Sequence, residues 1–178
     1  MCIKLLFGHG TKMVRVEKLL LDYENLRLRS PGTKAKQQVL LKELYQKYDL
    51  SSLITYLAGV GYFKEEPLLV VRYKGCKKGL FTVVDGNLRL VALRILLFNI
   101  DRRAVMAKRI PRLSLSVRRE LNPVPVRIYR SRKEILPYLL LRHMHGVQPW
   151  DRQAQLNFYD RLIGLCNYST GINGGFES

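Results

Sequence analysis

The chain has 178 residues, of which 31 are lysine or arginine and 14 are aspartate or glutamate, so its formal net charge is +17. Hydrophobic residues make up 47% of it, which excludes a disordered basic tail and favours one folded domain with its own core. A charge of this sign makes a polyanion the expected partner, with nucleic acid ahead of nucleotide phosphates or an anionic membrane surface, and a merely solvated basic surface as the alternative.

Two patterns narrow the class of protein further. No apolar run approaches the ~18–20 residues of a membrane helix, and the apolar stretch within residues 1–12 is too short for a secretory signal. The three cysteines, Cys2, Cys76 and Cys166, are far apart and form no CxxC pair. This spacing argues against a disulfide framework or a thiolate zinc site, and we expect a cytoplasmic protein that is nucleoid-associated if it binds DNA.

In the first half of the chain, hydrophobic periodicity alternates with glycine and proline breaks. Apolar residues at helical spacing predict a helix over 36–48, and Ser51 or Ser52 is a candidate cap for a second helix that ends at Gly59 and Gly61. A β-hairpin follows, since two apolar runs flank a turn with two glycines. The predicted elements are a short strand or turn over 14–21, a break at 30–32, the two helices, and hairpin strands over 67–73 and 80–84.

In the second half, a helical stripe begins at Leu88, directly after the second hairpin strand. Pro111 breaks the basic stretch that follows, and Asp151 is a candidate cap for a last helix that buries Ala154. Between them we predict a strand over 124–129 and a helix over 131–143. We therefore expect a single α/β domain over 14–165, a small mixed sheet flanked by helices, with an extension over 1–13 and a flexible or truncated tail over 166–178.

The positive charge is concentrated in one segment. Residues 102–133 carry 11 basic residues and one acidic residue, or +10, and nine of the eleven are arginine. Arginine suits bidentate phosphate contacts better than lysine, so we expect this segment to present a surface that faces DNA or another phosphate ligand. The residues assigned to that surface are Arg102, Arg103, Lys108, Arg109, Arg112, Arg118 and Arg119.

One motif joins the hairpin to the next helix. The run Val83-Val84-Asp85-Gly86-Asn87-Leu88-Arg89-Leu90 predicts a strand, a tight glycine turn and a helix. Such a turn exposes backbone N–H groups at a helix N-terminus, where the helix dipole favours an anion.

This run resembles the strand–turn–helix box of the ParB/sulfiredoxin superfamily, in which Asp/Glu-Gly-Asn-Arg-Arg-Leu is common. The resemblance is to ParB-like N-terminal domains, which have also been labelled ParB-like nucleases. Leu88 replaces the first arginine of the box, and Asn87 stands where sulfiredoxins have their catalytic cysteine, so sulfiredoxin chemistry is not expected. Three flanking runs agree in order: 17–28, with Leu26 in place of a proline; 59–68; and Arg142-His143-Met144-His145-Gly146-Val147-Gln148-Pro149-Trp150.

The resemblance implies a nucleoside triphosphate, CTP-like and with Mg²⁺, bound at the Gly-x-x-Arg turn and used as a slowly hydrolysed switch. It implies a close backbone approach at Gly86, a phosphate clamp by Arg89, and contributions from Asn87 and Arg27. The run containing Arg142, His143 and His145 occupies the place of the second nucleotide-contacting box. The expected partners are DNA and a nucleotide, with a homodimer as an open alternative and no membrane.

Several alternatives remain open at the level of sequence. Asp85 is interpreted as a helix cap or turn former, or else as a magnesium-linked or catalytic carboxylate. His143 and His145 would share a face on a strand, but with only His9 as a further imidazole no metal site is predicted. The rival functions are a metal-dependent nuclease that uses Asp85, and a degenerate scaffold that binds DNA or protein without a nucleotide.

Overall fold

A computed structural model describes residues 10–29, 36–75, 79–98, 110–144, 152–154 and 156–157. Within these ranges the chain is a mixed α/β fold in which one five-stranded sheet packs against helices. The strands are β1 (Thr11–Val14), β2 (Leu19–Leu21), β3 (Leu68–Arg72), β4 (Phe81–Asp85) and β5 (Val124–Tyr129). The helices are α1 (Gln37–Lys47), α2 (Ser51–Gly59), α3 (Asn87–Phe98), α4 (Leu115–Glu120) and α5 (Leu136–Met144), with 3₁₀ turns at Val16–Lys18 and Arg132–Glu134.

The sheet has the strand order β1-β5-β3-β4-β2. The hairpin strands β3 and β4 are antiparallel, β2 joins β4 in parallel, β5 joins β3 in parallel, and β1 closes the other edge antiparallel to β5. Because Leu21 of β2 is in register with Val83 of β4, these two strands end side by side. Their carboxyl ends bring Asp22 and the Asp85–Gly86 turn to the same region of the fold.

The main core lies on the sheet face covered by α1, α2 and α3. Alternate side chains of strands β2 to β5 point into it, such as Leu68 and Val70 of β3. Helix α3 is the most buried helix, because eight of its twelve residues are buried, whereas α1 buries only a narrow apolar stripe. The α1 stripe consists of Leu40, Leu41 and Leu44.

A smaller core occupies the opposite face of the sheet. Leu69 of β3 and Val84 of β4 meet Ile135 and Leu139, which precede and form part of α5. Ile135 is fully buried and Leu139 is 5% exposed. This second core is what holds α5 beside the end of β4.

Several sequence predictions are confirmed. The α/β class and the mixed sheet are observed, β5 has the predicted bounds, and α1 and the hairpin lie within one or two residues of prediction.

The predicted serine cap of α2 is wrong: the helix begins at Ser51, its N-cap residue is Leu50, and the Asp49 carboxylate accepts the Ser51 N–H at 3.0 Å. The predicted helix over 131–143 is divided into a 3₁₀ turn and α5. The first strand begins at Thr11, three residues before the predicted domain boundary.

No helix in the described ranges is long and apolar enough to cross a membrane.

Candidate functional site: the Gly86 turn and its charged network

A tight turn at a glycine joins β4 to α3. Gly86 has φ +94° and accepts the Leu90 N–H at 2.9 Å as the first hydrogen bond of the helix. A Cβ atom at this position would lie 2.3 Å from Leu68 Cδ2 and 3.0 Å from Arg89 Nη2. The turn therefore requires glycine both for its backbone angle and for the close approach of two side chains.

Asn87, the first residue of α3, holds this turn against β2. Its side chain is 4% exposed, its Oδ1 accepts the Asp22 N–H at 3.0 Å, and its Nδ2 donates to the Val83 carbonyl at 2.8 Å. Both ends of the carboxamide are thus engaged with backbone groups. The structure assigns Asn87 a positioning role in the turn, and its predicted contact with phosphate stays a prediction.

Two arginines converge on one exposed carboxylate beside the turn. Arg142 Nη2 donates to Glu66 Oε2 at 2.8 Å, and Arg89 Nη1 lies 3.7 Å from the same oxygen. Asp85 Oδ2 lies 3.7 Å from Arg89 Nη2 and 3.9 Å from Arg142 Nε. We refer to Glu66, Asp85, Arg89 and Arg142 as the Glu66 network.

Each arginine of the Glu66 network also lies against a tyrosine. Arg89 is 6.0 Å from the ring centroid of Tyr62 and donates to its hydroxyl at 3.1 Å. Arg142 is 5.9 Å from the ring centroid of Tyr138 and donates to its hydroxyl at 2.6 Å. Ring stacking and hydrogen bonding together restrict both guanidinium groups, so they are positioned whether or not Glu66 remains between them.

The electrostatics keep the Tyr62 hydroxyl protonated and favour the charged form of Arg142. Burial raises the pKa of Tyr62 to about 12, so its hydroxyl stays protonated and available to Arg89 as an acceptor. Burial alone lowers the pKa of Arg142, but the Tyr138 hydroxyl, Asp85 and Glu66 outweigh it and raise that pKa.

The Glu66 network is assembled from the segment before β3, the end of β4, the start of α3 and helix α5. Antiparallel pairing sets Leu69 of β3 opposite Asp85 of β4, so the residues just before β3 lie beside the residues just after β4. Glu66 and the Gly86 turn meet for this reason. Arg142 arrives from α5, whose apolar face is fixed to the second core by Leu139.

A second charged group lies on the other side of Asn87. Asp22 is 1% exposed, and its Oδ1 accepts from both the Arg132 guanidinium and the Glu24 N–H. Arg132 Nε also lies 3.3 Å from Glu24 Oε2. Burial outweighs these partners and raises the pKa of Asp22.

The structure brings together some of the predicted site residues and separates others. Asp85, Gly86, Arg89 and Arg142 meet at one place, whereas the Arg27 guanidinium lies 5.2 Å from the Tyr48 ring centroid at the end of α1. The prediction that His143 and His145 share a face of a strand is wrong for His143, because the backbone of His143 is part of helix α5. His145 lies outside the described residues.

The predicted DNA surface is described only in part. Arg112 and Arg119 are exposed. Arg118 donates to the Leu97 carbonyl at 2.7 Å and so binds the C-terminal end of α3. Arg102, Arg103, Lys108 and Arg109 lie outside the described residues.

The donor set of the Glu66 network suits an anion. A divalent cation needs free oxygen ligands, but the two carboxylates here are shared between two guanidinium groups. Among the described residues no group of three histidine, cysteine, aspartate or glutamate side chains is placed to hold a metal ion. The residues present therefore do not fit a resident Mg²⁺.

Sequence reasoning missed Glu66, Tyr62 and Tyr138. The predicted hairpin already implied that the residues before its first strand lie beside the Asp85–Gly86 turn, which would have identified Glu66. No comparable signal exists for Tyr138, because its position depends on how α5 packs on the second core.

The chain was compared with family models and with curated proteins, and neither comparison finds a match.

Proposed function

We propose that this chain is a ParB-like, DNA-associated module that binds a nucleoside triphosphate at the Gly86 turn and contacts DNA through its basic surface. The observation that carries the nucleotide part is the convergence of Arg89 and Arg142 on the exposed Glu66 carboxylate. The charge of +10 on residues 102–133, with Arg112 and Arg119 exposed, supports the DNA part.

In this proposal Glu66 occupies the place of a phosphate group. Its side chain is 47% exposed, whereas Arg89 and Arg142 are 16% and 32% exposed and stacked on tyrosines. The carboxylate is therefore the member of the network that leaves most easily. A phosphate offers three oxygens and more charge to the same two guanidinium groups, which suits charge-assisted, bidentate hydrogen bonding.

The Gly86 turn supports the same assignment. It places the N-terminus of α3 beside Arg89. Helix α3 has twelve residues, and the dipole of such a helix stabilises an anion at its N-terminus. Mg²⁺ would enter with the nucleotide, held by triphosphate oxygens.

The test of the nucleotide part is calorimetric titration of the full chain with CTP, ATP and GTP in the presence of Mg²⁺. We expect micromolar binding of at least one of them, and at least a tenfold loss of affinity in Arg89→Ala and in Arg142→Ala. Lys12→Ala, which removes an exposed positive charge from β1, is the matched control and should bind as the wild type does. If none of the three nucleotides binds, the result would instead favour the alternative of a scaffold that binds DNA or protein without a nucleotide.

Glu66→Gln tests whether the carboxylate competes with the ligand. Because the substitution removes a negative charge from the phosphate position, we expect affinity to rise about fivefold, which corresponds to about 1 kcal/mol. Titration of the same nucleotide series measures it, with Glu65→Gln as the exposed neighbouring control. Equal gains in both variants would show that only the net charge matters and would contradict the role given to Glu66.

The nuclease alternative has its own test. Supercoiled DNA incubated with Mg²⁺ and the wild-type chain should stay intact, since the donor set of the network does not fit a resident cation. Nicking that disappears in Asp85→Ala would overturn the proposal in favour of a nuclease.

A further inference from the structure

A second basic surface lies on α1, outside both the Glu66 network and residues 102–133. It is a cleft of about 270 Å³ between the outer face of the helix and the loop that follows β2. We call it the α1 cleft; its lining residues are Arg29, Val39, Lys42, Glu43, Gln46 and Lys47.

The fold positions the positive charges of the α1 cleft. Glu43, its one carboxylate, accepts the Arg29 N–H at 2.5 Å and so fixes the loop to the helix. Lys47 Nζ donates to the Arg27 carbonyl at 2.9 Å, which ties the same loop to the end of α1. Three cations against one carboxylate leave the lining with a net charge of +2.

An arginine stacked on an aromatic ring extends this surface. The Arg27 guanidinium lies 5.2 Å from the Tyr48 ring centroid, and Lys47 Nζ lies 5.5 Å from it. The positive charges thus continue from the cleft to the C-terminal end of α1. Arg27, predicted as a nucleotide ligand, contributes to this second surface.

The spacing of the charges indicates the kind of partner. Lys42 and Lys47 are five residues apart, or about 7.5 Å along the helix axis. A single phosphate is best held by donors that converge on one point, whereas charges spread along a helix suit a ligand with repeated phosphates. Val39 is the only hydrophobic residue that lines the cleft, and the other five lining residues carry polar or charged groups.

We infer that the α1 cleft and Arg27 bind the phosphate backbone of a nucleic acid. The inference rests on the DNA part of the proposed function and adds a contact surface to it. It is independent of the nucleotide part.

The test is the salt dependence of binding to a labelled DNA duplex of about 25 base pairs. The slope of log K against log salt is negative, and the loss of one phosphate contact reduces its magnitude by about 0.9, so Arg29→Gln/Lys42→Gln should reduce that magnitude by about 1.8. Both side chains are exposed, so the fold should be retained, which thermal melting followed by circular dichroism checks. Lys12→Gln/Lys74→Gln changes the charge equally at exposed positions elsewhere in the fold and should leave the slope within about 0.3 of the wild type.

Each of the following results would overturn the inference. A wild-type slope retained by Arg29→Gln/Lys42→Gln would show that the cleft makes no phosphate contact, and an equal change in the control pair would show a general charge effect. A third is binding of poly-glutamate as strong as that of DNA, which would point to an acidic protein partner. If Arg112→Gln/Arg119→Gln reduces the magnitude of the slope and Arg29→Gln/Lys42→Gln does not, this inference is refuted and the proposed function stands. If the wild type shows no salt-dependent binding to DNA, both are refuted.

Discussion

At the scale of single residues, the turn between β4 and α3 combines three different constraints. Gly86 supplies a backbone angle that other residues adopt only with strain, Asn87 satisfies backbone groups of two strands, and Arg89 returns over the turn to Asp85 and Glu66. Only the need for glycine and the proximity of Arg89 to Asp85 could be predicted from the motif. The role of Asn87 depends on β2, whose position beside β4 is a long-range feature.

Gly86→Ala should destabilise the fold severely. The added Cβ meets Leu68 and Arg89 at a positive φ, and we expect the free energy of unfolding to fall by about 3 kcal/mol. Urea denaturation measures the change. Gly59→Ala is the matched control, because no atom lies within 4 Å of its added Cβ, and it should stay within about 0.5 kcal/mol of the wild type.

Asp22 should make stability depend on pH in an unusual direction for a carboxylate. Burial raises its pKa in the folded state, so the folded chain binds this proton more tightly than the unfolded chain does. The stabilisation that this proton gives the folded state is complete at pH values below the pKa of Asp22 in the unfolded chain. It is lost as the pH rises through the pKa of Asp22 in the folded chain.

Asp22→Asn, which keeps an acceptor for the Glu24 N–H, should therefore be more stable than the wild type at about pH 7, with a gap that closes as pH falls towards about 4. Urea titrations of both proteins at several pH values between these limits compare them. A variant that is less stable at neutral pH would show that the ion pair with Arg132 outweighs burial.

At the scale of elements, α5 links the second core to the Glu66 network. Its inner face is anchored by Leu139, which is 5% exposed, while Leu141 is 64% exposed on the same helix. Arg142 reaches Glu66 and Asp85 only because this packing fixes the helix.

Leu139→Ala should lower the free energy of unfolding by about 2–3 kcal/mol, since it removes a buried side chain and leaves a cavity. It should also weaken nucleotide binding, because Arg142 loses its support. Leu141→Ala should change neither quantity. Urea denaturation and calorimetry on both variants test this, and equal effects of the two substitutions would mean that α5 is not anchored through Leu139.

The outer edge of β2 is protected by side chains. Gln37 accepts the Leu21 N–H at 2.7 Å and donates to the Leu21 carbonyl at 2.9 Å, and Arg94 donates to the Leu19 carbonyl. These contacts replace a neighbouring strand, which an edge would otherwise leave exposed.

Gln37→Ala should cost about 1–2 kcal/mol of unfolding free energy, because the Leu21 backbone groups lose their partner. Gln38→Ala, an exposed neighbour on the same helix, is the control. Denaturant melts of the two variants compare them, and a Gln37→Ala protein as stable as Gln38→Ala would mean that water replaces the side chain without cost.

At the scale of the whole molecule, local elements were more predictable than their arrangement. The strand over 124–129, the helix near 36–48 and the hairpin follow from short-range periodicity and turn residues. The edge positions of β1 and β2 do not, because their pairing partners lie 62 residues away for β2 and 110 to 116 residues away for β1.

The candidate site shows the same division. Gly86 and Arg89 belong to one motif, and both lie where the motif predicts. The family resemblance predicts that Arg27 reaches the same site, yet its guanidinium stacks on the Tyr48 ring. Its position follows from the way the loop after β2 folds onto α1, which no local pattern encodes.

The order of the strands has a consequence for the shape of the sheet. Strands β1 and β2 are consecutive in the chain but occupy opposite edges, and only residues 15–18 connect them. The step from Val14 to Leu19 can span at most about 18 Å. The edges of a flat sheet of five strands are about 19 Å apart, and these two strand ends are also offset along the strand direction. The sheet must therefore curl until its edges approach each other, and Asn122, which accepts the Val16 N–H at 3.0 Å, secures the connection. The short connection is therefore a covalent constraint on the curvature of the sheet, in addition to the helices that pack on its main core.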